Sequence, residues 1–207
     1  MSSNPKYSSH ASAMRLPLLV SLLTAMTVLS GTSAAAAGTG VPRVVVNILV
    51  DQLRTDYLNA FMPLYGQEGF VRLLNEGRVY AQAEYPHYRP DRASAAATLA
   101  TGTTPYNHGI VALKWLDRET LRPVFCVNDK NYAGLQTTDA SSPTFLGVST
   151  VGDELKVATE GKALVYAIAP FRDAAILSAG HAADAAVWID DRTGQWCSTS
   201  YYGKTLP

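Results

Sequence analysis

The order of apolar and polar residues predicts buried strands alternating with helices. Residues Val44 to Val50 are Val, Ile or Leu at every position except Asn47, a pattern typical of a strand buried on both faces in a parallel sheet. Lys162 to Ala169 (KALVYAIA) predicts a second buried strand, and Ala175 to Leu177 predicts a short third one. Strands of this kind indicate an α/β domain with a mostly parallel sheet flanked by helices.

Helical segments separate the predicted strands. Helices are expected to begin around Thr55 to Leu58, over Gly69 to Glu76, after Asp91 in RASAAATLAT, and over Asp153 to Gly161. The glycines that follow the second and fourth of these are typical helix stops.

The remaining segments are less regular. RVYAQAEYPHY, from Arg78, is strand-like, Trp115 to Leu146 predicts loops or a small insertion, and a hairpin is expected with its turn at Asp191 to Gly194. The chain stops at SYYGKTLP without a terminal element, so we expect an incomplete domain, the N-terminal part of something longer.

The first 37 residues predict a secretory signal peptide. Lys6 and Arg15 precede an apolar run of 16 residues, LPLLVSLLTAMTVLSG, which small residues follow. A transmembrane anchor is the alternative, but the run is shorter than the roughly 20 residues that span a bilayer. We expect cleavage near Ala34 to Ala37, a mature chain (38–207) without a membrane span, and export to the periplasm or medium.

The charge and cysteine content limit the kinds of binding partner and metal site that the sequence supports. The formal net charge is +0 with 16% charged residues, so no strong field favours nucleic acid or an anionic membrane. Cys126 and Cys197 could form one disulfide or remain two buried thiols, since sequence does not give the separation that a bridge needs. Without a CxxC motif, a cysteine zinc site has little support.

Three polar residues near the ends of predicted elements are candidates for metal binding or for lining a site. Asp51 follows the first strand, where it could bind a metal ion or cap the next helix. His108, in PYNHGI, is expected in a turn or the core, with a metal role as the alternative. His181, in SAGHAADAA, is expected to be a hydrogen-bonded structural residue, with a role as a ligand or as a residue that lines a site as the alternative.

The segment from Tyr88 to Ile110 (YRPDRASAAATLATGTTPYNHGI) predicts a turn, a small-residue helix and a second turn. A helix N-terminus can bind phosphate through its free N–H groups. Asp91 at that position is a good N-cap. Its carboxylate would fill those donors and repel an anion, so it opposes a phosphoryl site there.

Three stretches resemble one family: VVVNILVDQLRTDYL, TGTTPYNHGI and ILSAGHAADAAVWIDDRTGQW. They are similar to the N-terminal part of the alkaline phosphatase superfamily, in the branch of bacterial secreted phosphatases related to nucleotide pyrophosphatases and phosphodiesterases. The resemblance implies an α/β fold, two zinc ions and a covalent phosphoryl-enzyme on a Thr or Ser at a helix start. Further Asp and His ligands are expected in the C-terminal part of such proteins.

Carried over by position, the resemblance assigns Asp51 as the first metal ligand. The nucleophile position falls on Pro90 or Asp91, neither of which has a hydroxyl group. Ser94 is the nearest hydroxyl, one turn into the helix.

Other family residues are also replaced. The histidine within the helix falls on Ala96, and a phosphate-binding Lys-x-Arg pair falls on Phe171 and Asp173. Arg172 lies one residue out of register, which on a strand turns its side chain to the opposite face.

Three hypotheses follow. The chain is part of an exported, metal-dependent phosphatase or phosphodiesterase that hydrolyses a small phosphate ester with Ser94 as its nucleophile. Alternatively, it is a catalytically degenerate member that binds a ligand or partner at the same cleft. The third possibility is a truncated product without independent function.

Overall fold

The computed structural model describes residues 43–85, 87 and 90–207. The predicted signal peptide, residues 1–37, lies outside the described residues. The chain divides into two units, residues 1–47 and 48–207, and the elements below all belong to the second. No helix in the described part is long and apolar enough to cross a membrane.

Helices and short strands alternate along the second unit. The α-helices are α1 (Thr55–Ala60), α2 (Phe70–Glu76), α3 (Arg92–Thr101), α4 (Pro105–His108), α5 (Val151–Ala158) and α6 (Arg172–Ala179), with a 3₁₀ turn at Met62–Leu64. The strands are β1 (Lys114–Leu116), β2 (Pro123–Phe125), β3 (Gly134–Leu135), β4 (Tyr166–Ile168), β5 (Ala185–Ile189) and β6 (Trp196–Thr199).

Four strands form one mixed sheet in the order β3-β6-β5-β4. Strands β4 and β5 are parallel, with Ala167 opposite Ala186, while β6 is antiparallel to both β5 and β3. Strands β1 and β2 form a separate antiparallel ribbon. The predicted α/β class is confirmed, with a sheet that is mixed in the described residues.

Helices α3 and α6 pack against each other and form the centre of the core. Helix α3 contributes small buried residues, among them Ala93, Ala96 and Ala97, and α6 contributes Ile176 and Leu177. Small side chains let two helix backbones approach closely. This contact fixes the N-terminus of α3 beside that of α6, where the candidate site lies.

Several predicted elements are found. Helices α1, α2, α3 and α5 occur where expected, although α5 ends at Ala158, before the predicted stop at Gly161. The predicted hairpin joins β5 to β6, and its turn is held by Asp190, which accepts hydrogen bonds from the N–H groups of Arg192 and Thr193. Gly194 adopts a φ of 70°, which suits glycine at the end of this turn.

The prediction of a buried strand at residues 44–50 is wrong for the described structure. Residues 44–50 form no strand and are exposed, Val44 by 77% and Val50 by 51%. Apolar character predicts burial, but a strand also needs a neighbour to accept its backbone hydrogen bonds. No strand in the described part pairs with this run. Residues 78–85, predicted as strand-like, also contain no strand.

The third predicted strand is a helix. Residues 175–177 lie within α6, which begins after Phe171 and ends at Gly180, where φ is 77°. A short buried apolar run does not distinguish strand from helix, and alanine favours a helix. The second predicted strand is confirmed in its centre as β4, but it lies at the sheet edge, so Tyr166 and Ile168 are exposed instead of buried.

Candidate active site at the start of helix α3

A capping box formed by Asp91 and Ser94 begins α3. The Asp91 carboxylate accepts a hydrogen bond from the Ser94 N–H at 2.9 Å, and the Ser94 hydroxyl oxygen accepts one from the Asp91 N–H at 3.0 Å. Such a box satisfies backbone donors that a helix start otherwise leaves free. The predicted N-cap role of Asp91 is therefore confirmed.

The second carboxylate oxygen of Asp91 is also engaged. It accepts a hydrogen bond from the Leu113 N–H, 22 residues further along the chain. Asp91 therefore ties the start of α3 to the segment that leads into β1. Both oxygens of this carboxylate have backbone donors, so the group acts as a fixed internal anion.

Ser94 is buried within the box. The residue is 1% exposed. Its hydroxyl can donate a hydrogen bond to the Asp91 carbonyl oxygen, which lies 3.3 Å from Oγ. An attacking hydroxyl needs both access to substrate and a base that takes its proton. In this arrangement, the Ser94 hydroxyl contacts the backbone of its own helix cap.

Arg92, the first residue of α3, forms a bidentate ion pair with Asp173 of α6. Its Nε and Nη2 each lie 2.8 Å from a carboxylate oxygen, and the side chains of Arg92 and Asp173 are 25% and 4% exposed. The Phe171 ring lies under the guanidinium, with its centroid 3.9 Å from Cζ. This fork geometry is the strong form of the Arg–carboxylate contact.

The structure thus places Phe171 and Asp173, to which the resemblance assigns the phosphate-binding pair, against Arg92 at the start of α3. Arg92 itself was not predicted to belong to this group. Nothing in the local sequence links it to a residue 81 positions away. The one available signal was the acidic residue at a position where the resemblance expects a cation.

Asp51 acts on Arg92 through its charge. It is exposed, in a turn before α1, and does not cap that helix, whose N-cap is Arg54. The hydrogen bond to Asp173 raises the pKa of Arg92 most, and the charges of Asp173, Asp51 and Asp91 raise it further against the lowering effect of burial. Burial and the charge of Asp51 likewise raise the pKa of Tyr85.

The described residues do not fit a two-zinc centre by themselves. No group of three His, Cys, Asp or Glu side chains in this part of the chain is arranged to hold a metal ion. Asp51 is the one residue that the resemblance assigns to zinc, and its charge acts on the guanidinium of Arg92.

His108 lies in the core. It is fully buried, its Nε2 lies 3.1 Å from the Thr98 hydroxyl, and its Nδ1 accepts a hydrogen bond from the Ile110 N–H at 3.1 Å. Because Nδ1 accepts, Nε2 carries the proton and donates to Thr98. Burial lowers the pKa of His108. The expected core role is confirmed, and the ring joins α3 to α4.

His181 is a hydrogen-bonded structural residue, as expected. Its Nδ1 lies 3.1 Å from an Asp153 oxygen and its Nε2 lies 3.0 Å from the Leu146 carbonyl. Burial raises the pKa of Asp153, but hydrogen bonds from Thr150, Ala182 and His181 outweigh it and hold that pKa low. The pair lines a cavity of about 590 Å³ beside α5, apart from the α3 cluster.

Arg172 points elsewhere. Its guanidinium donates to the Ser141 hydroxyl at 3.1 Å and to the Asn128 side-chain oxygen at 3.0 Å. Its guanidinium is therefore held by the segment 128–141. Cys126 and Cys197 are both free and buried, which agrees with the alternative of two separate thiols.

The fold is an α/β arrangement in which the start of α3 is closed by the Asp91 cap and by the Arg92–Asp173 ion pair. A family model described as Type I phosphodiesterase / nucleotide pyrophosphatase matches residues 45–203. The chain belongs to this family, within the alkaline phosphatase superfamily.

Named relatives agree with this assignment. The chain is 37% identical to alkaline phosphatase PhoV of Synechococcus elongatus over 169 residues, which covers 80% of the chain and 31% of the relative. It is 36% identical to alkaline phosphatase PafA of Elizabethkingia meningoseptica, covering 87% and 34%. The crystal structure of wild-type PafA superposes with a TM-score of 0.73 at 35% identity, covering 76% and 31%. The chain therefore spans about a third of the length of these relatives.

Proposed function

We propose that this chain is part of an exported protein of the phosphoric-ester hydrolase type that does not perform phosphoryl transfer at α3. The observation that supports the proposal is the closed start of α3, where Asp91 caps the helix and Arg92 is paired with Asp173. Its role is then to bind a ligand or partner at the start of α3 without hydrolysing it.

The physical argument concerns the charge at the helix start. A phosphoryl-enzyme needs a hydroxyl at the free N–H groups of a helix, which stabilise the incoming anion. Here the Asp91 carboxylate accepts the hydrogen bond of the Ser94 N–H, and a second carboxylate, Asp173, is paired with the neighbouring residue Arg92. A phosphate would have to displace one anion and approach another.

A second candidate is an active, metal-dependent phosphatase with Ser94 as its nucleophile and Asp51 as a zinc ligand. It is favoured by the 36 to 37% identity to proteins named alkaline phosphatases. The substrate would be a small phosphate ester, and two zinc ions would supply a Lewis acid for the attacking and leaving oxygens. Most of the zinc ligands would come from outside the described residues.

Export is part of the proposal and is supported by the basic flank, apolar run and small-residue site in residues 1–37. Sequencing the N-terminus of the protein recovered from a bacterial periplasm or medium tests it. A mature start between Ala34 and Gly38 is expected, and an intact Met1 in a membrane fraction would contradict it.

Hydrolysis is tested with p-nitrophenyl phosphate and bis-p-nitrophenyl phosphate in the presence of zinc. We expect no turnover above the protein-free rate. Ser149→Ala provides a control for Ser94→Ala, because Ser149 is also a serine near a helix start, and its hydroxyl donates to Glu154. Turnover that Ser94→Ala abolishes and Ser149→Ala preserves would establish the active phosphatase instead.

A further inference from the structure

The imidazole ring of His181 faces two hydrogen-bond acceptors. Its Nδ1 lies 3.1 Å from an Asp153 carboxylate oxygen, and its Nε2 lies 3.0 Å from the Leu146 carbonyl oxygen. A neutral imidazole has one N–H donor and one lone pair, whereas the imidazolium ion has two donors. Either neutral tautomer would place a lone pair against an acceptor oxygen, so only the imidazolium satisfies both contacts.

The Asp153 carboxylate has no proton to contribute to these contacts. One of its oxygens accepts hydrogen bonds from the N–H groups of His181 and Ala182, and the other accepts one from the Thr150 N–H. Burial raises the pKa of Asp153, but the hydrogen bonds from Thr150, Ala182 and His181 hold it below its usual value. Asp153 is therefore an anion, and an anion favours a charged donor opposite it.

Five other charged or titratable residues border the ring or its cavity: Lys156, Glu160, Asp184, Tyr201 and Tyr202. Lys156 is paired with Asp184, and its hydrogen bond lowers the pKa of Asp184. Glu160 is paired with Lys162. Burial raises the pKa of both tyrosines, so they are uncharged at neutral pH. The anion in contact with the ring is thus Asp153.

The ring joins two sides of the cavity beside α5. Asp153 lies in the first turn of α5, whereas Leu146 begins the segment 146–149, which lines the other side of the cavity of about 590 Å³. The His181 side chain enters from the loop between α6 and β5 and is 36% exposed. Water can therefore exchange protons with the ring while the chain stays folded.

We propose that His181 is held as an imidazolium ion that ties the segment 146–149 to α5, and that loss of its proton releases the Leu146 carbonyl. A neutral ring keeps its contact with Asp153, because a charged acceptor makes the stronger hydrogen bond. The contact with Leu146 is then the one that is lost. This pH-sensitive latch lies apart from the start of α3 and does not depend on the proposed function.

Nitrogen-15 NMR of the imidazole rings in the full chain tests the charge state. At pH 7.5, both ring nitrogens of His181 should carry a proton. His108 is the control in the same spectrum, because it should show a proton on Nε2 alone. His181→Gln identifies the His181 signals by their absence. A His181 ring with a single protonated nitrogen at pH 7.5 would overturn the proposal.

Hydrogen exchange of the Leu146 and Gly147 amides tests the release. These N–H groups donate to the Pro143 and His108 carbonyls. As the pH is raised until NMR shows a neutral His181, their protection factors should fall about tenfold, because one charge-assisted hydrogen bond is lost. The Gly194 amide, in the turn between β5 and β6, should keep its protection factor.

His181→Gln tests the release without a change of pH. At pH 7.5 this variant should show the same tenfold lower protection at Leu146 and Gly147, with wild-type protection at Gly194. Far-ultraviolet circular dichroism confirms that it is folded, and His181→Phe is a second neutral variant should His181→Gln not fold. Wild-type protection at Leu146 and Gly147 in a folded neutral variant would show that the ring does not hold this segment.

Discussion

Replacement of Asp91 by alanine is predicted to destabilise the protein substantially. The substitution removes the helix cap, which is worth about 0.5 to 2 kcal/mol. It also removes the charged acceptor of the Leu113 N–H, a contact worth about 1.5 to 3 kcal/mol. The expected loss in the free energy of unfolding is therefore about 2 to 5 kcal/mol, and a loss of about 3 kcal/mol corresponds to a fall in Tm of about 6 to 12 °C.

Urea unfolding, followed by tryptophan fluorescence, measures this loss. Asp117→Ala is the matched control, because Asp117 also accepts hydrogen bonds from backbone N–H groups, those of Glu119 and Thr120, but in an exposed turn. Asp91→Asn keeps one side-chain oxygen and should fall between wild type and Asp91→Ala. A loss for Asp91→Ala no larger than that for Asp117→Ala would refute the argument that this carboxylate secures the start of α3.

Three further predictions concern buried ionisable groups. Arg92→Met should lower the free energy of unfolding by about 3 to 5 kcal/mol, because it leaves the Asp173 carboxylate unpaired. Adding Asp173→Leu should recover most of this loss. Urea unfolding that shows no recovery in the double variant would contradict this. Burial lowers the pKa of His108, so the unfolded chain binds this proton more readily, and stability present above about pH 6.5 falls as the pH drops below that value. The urea midpoint should therefore be lower at pH 5 than at pH 8, with a smaller difference in His108→Gln; an equal difference would contradict the assignment. Burial raises the pKa of Cys126 to about 12 and also raises that of Cys197. A disulfide reagent at pH 8 should therefore react with both thiols when the chain is unfolded in guanidinium, but not in the native chain. Rapid labelling of the native chain would contradict this.

Local signals predicted four of the six α-helices in the described residues, α1, α2, α3 and α5. Asp91 followed by a run of small residues predicted α3 with its cap, and Gly77 marked the end of α2. These features depend on groups a few residues apart, whose hydrogen bonds the sequence specifies directly. The turn between β5 and β6 was predicted on the same basis.

Predictions that depended on distant partners were less successful. Residues 44–50 are apolar enough for a buried strand, but burial depends on what packs against them, and the described part provides no paired strand. The run at Ala175 became helix α6 because a short apolar segment is compatible with either state. At the site, the resemblance assigned a role to the position of Asp173, but only the structure shows that Arg92 and Asp173 are paired.

The close packing of α3 on α6 restricts which substitutions the chain tolerates. Ala96, where the family resemblance places a histidine, is 1% exposed and lies in the shared core. Inserting an imidazole there would overpack the contact at about 1 to 3 kcal/mol, while replacing either Arg92 or Asp173 alone would leave the other charge unpaired. The helix contact and the ion pair therefore accept changes at these positions only when several are made together.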